Sequence, residues 1–433
     1  VKLLFVFCLF CGAAASAADD AISVLRQIRK TAVEAINKSD NYICAQDLSR
    51  FYYIAQSSAM ACRQPPAIPP TPLRVQDRLK LDVAVSQGAE IYSWHGEHKF
   101  SANSVGDVVR EGPISSGSFN GYLRNIFGER NITFIYKGRS TVAGVDLYKF
   151  DYRVPQAASH YDMQAGKEFV IAPFHGSFSA KADDFELYSL TVTADGDQIP
   201  PKSDICAAET RLTYQLVKIS DHDSLLPASF DLFIGGRSGI FTESKGKYTE
   251  CHAYTGESTV HFDTDDTAKV AAAAPELESE PLRSGIILQI ALRGQLDEDS
   301  VYAGFPVEAV LVRDVKIKKG EILMRGAKLR GTVTNFRVFH EPEHQVTMKI
   351  EFNSVTDGKK LYLCNAVHSV DLAVSTGFSG GGGRHRGGMA PMQVNASQEA
   401  DEGTMTFHTP HMHLDQKFTS TFITVNHSDL EER

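Results

Sequence analysis

The sequence predicts a mainly β protein in two parts: an N-terminal curved antiparallel sheet (half-barrel) with a packed helix, and a C-terminal small β-barrel. Three observations lead there. Short runs of alternating apolar and polar residues recur along the 433-residue chain, and 33 glycines are available for the turns between them. Only the stretch 20–37 carries a long helical period. Between the two β-rich regions, Asp265 to Arg283 (DDTAKVAAAAPELESEPLR) has neither period and too little apolar surface to bury, so it reads as a tether. The expected organisation is a signal peptide at 1–17, a β domain with an N-terminal helix at 18–264, a linker at 265–283 and a glycine-punctuated barrel at 284–428.

Composition narrows the functional classes. Hydrophobic residues make up 42% of the chain, enough for a core in each half. The net charge of −9 argues against a nucleic-acid binder, which carries a basic stripe to neutralise phosphates. At the N-terminus, Lys2 precedes the apolar run Leu3 to Phe10 and the small residues Ala15-Ser16-Ala17, the pattern of a cleaved export signal too short to span a bilayer. Val1 in place of Met is expected from a non-standard start codon. Neither Cys8 nor Cys11 follows the small-residue pair that lipidation needs. Export places Cys44, Cys62, Cys206 and Cys251 in an oxidising compartment as disulfide candidates. The sequence-local pairings are Cys44–Cys62 and Cys206–Cys251, although spacing alone does not fix connectivity. Cys364 is then expected as a buried thiol ending a strand.

In the first half, Ala21, Leu25, Ile28, Ala32 and Ile36 place an apolar stripe on one helix face, with Asp19 and Asp20 at its expected N-terminus. Asn41 to Gln56 reads as a strand, and Pro65 to Pro72 as an extended connector. Leu79, Leu81, Val83 and Val85 alternate toward a turn at Gln87-Gly88, and Ile91 to Trp94 returns. Phe119 to Phe127 has Tyr122, Ile126 and Phe127 at helical spacing, predicting a short helix. Strands are expected at 132–136, 146–154, 168–171, 176–180, 186–193, 212–219, 229–234, 246–254 and 258–262.

Several strings in this half (Asn41-Tyr42-Ile43-Cys44, Gly88 to Trp94, Phe150 to Pro155, Leu225-Leu226-Pro227 and Glu257 to Phe262) resemble an uncharacterised family of exported acidobacterial-type proteins. The piece from Gly176-Ser177-Phe178 through Asp184 to Leu190 is similar to the strand–turn–strand of LolA/RseB-like periplasmic proteins. That likeness implies a half-barrel that binds lipid or lipoprotein.

In the second half, glycines at 285, 304, 320, 326 and 331 punctuate strands, as in a small barrel. The order over 284–364 resembles the C-terminal barrel of VirB10/TrbI-type secretion-channel proteins. The acidic turn Asp297-Glu298-Asp299 lacks the ligand spacing of a calcium loop. Phe378 to Gly388 (FSGGGGRHRGG) lacks the Gly-Lys-Ser/Thr and following helix of a phosphate loop and reads as surface loop. His408, His411 and His413, with Asp415 near, form the metal-like cluster. In a strand 411 and 413 share a face, and neutral imidazoles suit zinc or copper.

No serine stands in the strand–turn–helix context of a nucleophile elbow, and no carboxylate pair or cofactor motif is singled out. The sequence therefore predicts no enzyme and no cofactor, but an exported protein of the periplasm or outer envelope. Its expected role is to bind an apolar ligand (lipid or lipoprotein) or an envelope protein partner, and peripheral membrane association is compatible with it. A structural or assembly component of an envelope complex is the alternative, and a metal-dependent hydrolase using the three histidines the second.

Overall fold

Period-two alternation dominates the backbone as it does the sequence. The computed structural model describes residues 11–425 apart from 38–40, 64–72, 254–278, 370–402, short stretches within 87–118, 166–167 and 195–202, and residue 319. Most of the expected signal segment and tether, the Pro65 to Pro72 connector, the strand at 258–262 and the glycine-rich run at 378–388 lie outside the described residues. The fold is mainly β, with a large antiparallel sheet in the N-terminal region and a closed six-stranded antiparallel barrel in the C-terminal region. The chain divides into two compact units: Val1–Pro72, Leu81–Ser93 and Glu97–Thr255 in one, and Leu73–Lys80, Trp94–Gly96 and Gly256–Arg433 in the other. Among the described residues, no helix is long and apolar enough to cross a membrane.

The first unit opens with helix α1 (Cys11–Asn37). Val24, Ile28, Ala32 and Ile36 are buried at four-residue spacing, while Ala21 and Leu25 flank that stripe half-buried. The helix begins ahead of Asp19 and Asp20, so these two lie inside it and do not cap it, contrary to expectation.

The strands of this unit are β1 (Tyr42–Ile54), β2 (Leu73–Ser86), β3 (Ala89–Trp94), β4 (Thr133–Val142), β5 (Val145–Val154), β6 (Asp162–Ala165) and β7 (Glu168–Ile171). They continue with β8 (Phe174–Lys181), β9 (Leu187–Ala194), β10 (Ile205–Ile219), β11 (His222–Gly236) and β12 (Ile240–Ala253). The main antiparallel ladder runs β4-β5-β8-β9-β10-β11-β12-β1, with β6 and β7 as a separate hairpin. With that hairpin set aside, strands along this ladder follow chain order until β12 returns to the first strand.

That return decides the disulfides. The register places Ile43 opposite His252 and Ala45 opposite Thr249, so Cys44 at the intervening irregularity meets Cys251. Cys62 pairs with Cys206. All four candidates are therefore bonded, but not to their sequence neighbours: the long-range strand pairing overrides proximity along the chain.

Between strands β3 and β4, Gly121–Leu123 is helical and Arg124–Gly128 continues as a wider turn. Arg29 of α1 donates to the carbonyls of Phe127 (3.0 Å) and Glu129 (3.2 Å), satisfying groups the helical turn leaves open at its end. The ring of Phe127 meets that of Phe178 edge-on at 5.1 Å, and Phe178 stacks on Phe150 at 5.3 Å. Helix, turn and sheet thus share one aromatic core.

The second unit contains β13 (Ser279–Pro281), β14 (Ile287–Leu292), β15 (Leu296–Asp297), β16 (Pro306–Leu311), β17 (Val315–Lys318) and β18 (Glu321–Leu323). After these come β19 (Lys328–Phe339), β20 (Gln345–Thr356), β21 (Leu361–His368), β22 (Thr404–Phe407), β23 (His413–Leu414) and β24 (Thr419–Thr424). The ring β14-β16-β19-β20-β21-β24 closes when β24 pairs back with β14. Closure leaves those strands no free edge. Inside lies an apolar core that includes Leu288, Val333, Met348, Phe352 and Phe422, with the last two rings 4.9 Å apart. Gly331 sits where the β19–β20 register shifts. A Cβ there would stand 2.3 Å from the Glu351 carbonyl oxygen, so only glycine lets the strands approach.

Residues 75–77 of β2 belong to this unit and pair with 337–339 of β19. Ser279–Pro281, within the expected tether, instead form β13, parallel to β21. Cys364 lies within β21 and is half-buried, where a buried thiol ending a strand was expected. Its Sγ donates to the Phe352 carbonyl at 3.5 Å, and burial pushes the thiol pKa up to about 12.

Candidate functional site

Two places gather polar groups in a way that packing does not require. The first is the face of the first unit's sheet that meets the helical turn. Cross-strand register aligns one row of residues over it: Arg50 opposite Ser244, Ser244 opposite Leu232, Leu232 opposite Thr210, and Thr210 opposite Val192. The row ends with Gly176 and Tyr152. Gly176 is required here, because a Cβ would stand 1.8 Å from the Thr191 carbonyl oxygen and 2.9 Å from the Tyr152 hydroxyl. That hydroxyl donates to the same carbonyl at 2.8 Å.

Near the middle of this face the hydrogen bonding runs out. Gln46 Oε1, Thr210 Oγ1, Tyr214 OH, Thr242 Oγ1 and Ser244 Oγ are buried with no hydrogen-bond partner among the described residues. All five are at even positions of β1, β10 and β12, the parity that points to one face. Thr210 and Ser244 are fully buried. Burial also holds the Tyr152 and Tyr214 phenols neutral, well above the usual tyrosine range.

The second place is an acid–imidazole cluster in the second unit. The two-residue ladder between β15 and β23 sets Asp297 opposite His413. Met412 points into the core, so His411 and His413 on either side of it share the outer face. Asp297 Oδ2 accepts from His411 Nε2 at 3.3 Å and from His413 Nδ1 at 3.0 Å, while its Oδ1 accepts from the Asp299 backbone at 3.0 Å. These donors hold the Asp297 carboxyl down to about pKa 2, with the His413 bond the largest cause. The Asp297 bond in turn raises the His411 imidazole above its ordinary value.

Behind them, the nearly buried Glu298 carboxylate accepts from the Met412 backbone at 3.0 Å and lies 3.0 Å from His344 Nε2. His344 Nδ1 faces the Thr409 carbonyl at 2.6 Å. Arg78 donates to the backbone carbonyls of Glu298 and Asp299. The turn carrying the carboxylates is therefore anchored on three sides.

The structure brings together His411 and His413 of the three histidines singled out in sequence. His408 is exposed after β22 and takes no part in the contacts around Asp297. The acidic turn, read in sequence only as an unfit calcium loop, supplies the carboxylates. His344 was not singled out; the H-x-x-x-H spacing of His340 and His344 was its available signal. Asp297, Asp299 and His411 offer donor atoms all within 4.8 Å of one another, a set able to hold a metal ion.

No protein-family profile and no curated protein matches the chain. Among solved structures, the chain is similar to a DUF1329 family protein from Desulfovibrio piger. The identity is 12%, over 55% of this chain and 97% of that one, with a TM-score of 0.24. The two disulfides indicate an oxidising, extracytoplasmic environment.

Proposed function

We propose that the chain is an exported protein of the periplasm or outer envelope that binds, without catalysis, an amphipathic ligand of the lipid class on the helix-facing side of its first sheet. The observation that carries this reading is the group of five unpartnered polar atoms from Gln46, Thr210, Tyr214, Thr242 and Ser244. Each buried polar atom left unsatisfied costs about 1–3 kcal/mol, so their concentration on one face favours an occupant that supplies the missing bonds. Phe150, Phe174 and Phe178 lie on the same sheet face, so the surroundings of these polar atoms are apolar, as a lipid-class occupant requires.

The test is to secrete the disulfide-bonded chain into a bacterial periplasm, extract it with organic solvent and analyse the extract by mass spectrometry. A lipid-class molecule is expected at near-stoichiometric yield. In the delipidated protein, Thr210→Val combined with Ser244→Ala is expected to weaken binding of a fluorescent fatty acid about tenfold, the equivalent of one lost hydrogen bond to a buried partner. An empty protein that binds the probe no better than the double variant does would end this reading.

A further inference from the structure

The acid–imidazole cluster stands in the other unit and is independent of that reading. From its geometry we infer that Asp297, Asp299, His411 and His413 form a binding site for one divalent transition-metal ion of the zinc class.

Donor chemistry is the first argument. Two imidazoles and two carboxylates are the nitrogen and oxygen ligands that Zn²⁺ takes, and the carboxylates balance its charge. Spacing is the second. Zinc bonds of about 2.0–2.1 Å in tetrahedral geometry put neighbouring donor atoms about 3.3 Å apart. The His411 Nε2 and His413 Nδ1 atoms stand 3.3 and 3.0 Å from the same Asp297 oxygen, along two edges of such a figure. Asp299 reaches the Asp297 and His411 donors within 4.8 Å.

Rigidity is the third argument, and it separates this cluster from a chance encounter of exposed side chains. Asp297 and His413 face each other in a backbone ladder, and the neighbouring Glu298 and Met412 exchange two further bonds. Glu298 N donates to the Met412 carbonyl at 2.9 Å, and the Glu298 carboxylate accepts from Met412 N at 3.0 Å. With the Met412 side chain locked in the core, both imidazoles are carried by a fixed backbone. His344 on Glu298 then plays the outer part that orients the ligand-bearing turn.

The experiment titrates the full, disulfide-bonded chain, freed of any polyhistidine tag, with zinc chloride by calorimetry. One ion per chain is expected, with the same ion detected by elemental analysis after gel filtration. His411→Ala and His413→Ala are each expected to weaken binding about tenfold or more, while His408→Ala leaves it unchanged. Cobalt(II) substituted for zinc is expected to give the intense visible absorption of a four-coordinate ion, lost in the His411→Ala variant. Circular dichroism in chelator checks that each variant keeps the β fold, since these side chains are surface-borne. Absence of saturable zinc binding overturns the site, as does a His411→Ala/His413→Ala double variant that binds as tightly as the parent, or a loss confined to His408→Ala.

Discussion

The two units stabilise an extended antiparallel sheet in different ways. The barrel closes on itself through backbone hydrogen bonds between β14 and β24 and fills its interior with aliphatic and aromatic side chains. The first unit's main ladder runs from β4 round to β1; one disulfide ties β1 to β12, and a second ties Cys62, just beyond β1, to β10. Its helix-facing side mixes aromatic rings with unpartnered hydroxyls. A ring closed by its own backbone has no need of covalent staples, and the described part of the barrel has none: Cys364 is its free thiol. The sheet that carries the staples also gathers five unpartnered polar atoms on one face, whereas those of the barrel unit, such as Thr334 Oγ1 and Thr406 Oγ1, lie on separate strands.

The largest effect expected from this contrast is in the barrel core. Phe352→Ala removes a fully buried ring packed on Phe422 and is expected to cost about 3–5 kcal/mol, read as a lowered denaturation midpoint. Next comes Cys44→Ser with Cys251→Ser. Opening a loop of 207 residues is expected to lower the first unit's stability by about 2–5 kcal/mol. Hydrogen exchange resolved by peptide should show that loss in β1 and β12 and leave β14 to β24 protected; equal loss in both regions would break the comparison.

A smaller effect concerns Cys364. Its thiol, raised from about 9 to about 12 by burial, stays protonated in the folded chain while the unfolded chain's thiol ionises. Folding stability from this group is complete below pH 9 and declines as pH rises through that window. Labelling by a thiol reagent at pH 8 is expected to be slow in the native protein and fast in denaturant. The smallest expected change is in Thr210→Val, which removes an unpartnered hydroxyl at nearly constant volume. It should leave stability within about 1 kcal/mol of the parent or raise it. A marked destabilisation would mean that the hydroxyl has a partner after all.

Much of this architecture is legible in the residues. Alternation at Leu79 to Val85 and at Ile132 to Tyr136 marks strands because side chains on a half-buried sheet must alternate, and glycines at 304, 320 and 331 mark where the barrel turns or crowds. What resisted reading is everything set by long-range register. The partner of Cys44 depends on β12 returning across the sheet to β1, which no local pattern encodes. Pairing of the Asp297 turn with His411 and His413 likewise joins segments 114 and 116 residues apart, so each half looks incomplete alone. The helix start misled because Asp19 and Asp20 have cap-forming side chains, yet the alanine-rich residues ahead of them continue the helix.

The bridge between Cys44 and Cys251 also has a temporal consequence. In a chain delivered N-terminus first, Cys44 and Cys62 emerge together, while Cys206 and Cys251 follow only after β4 to β9 have passed. The earliest bond available to an oxidant is therefore the wrong one. Productive maturation must either delay oxidation or undo that premature crosslink, and the yield of correctly bonded protein should depend on a thiol-exchange catalyst in the receiving compartment.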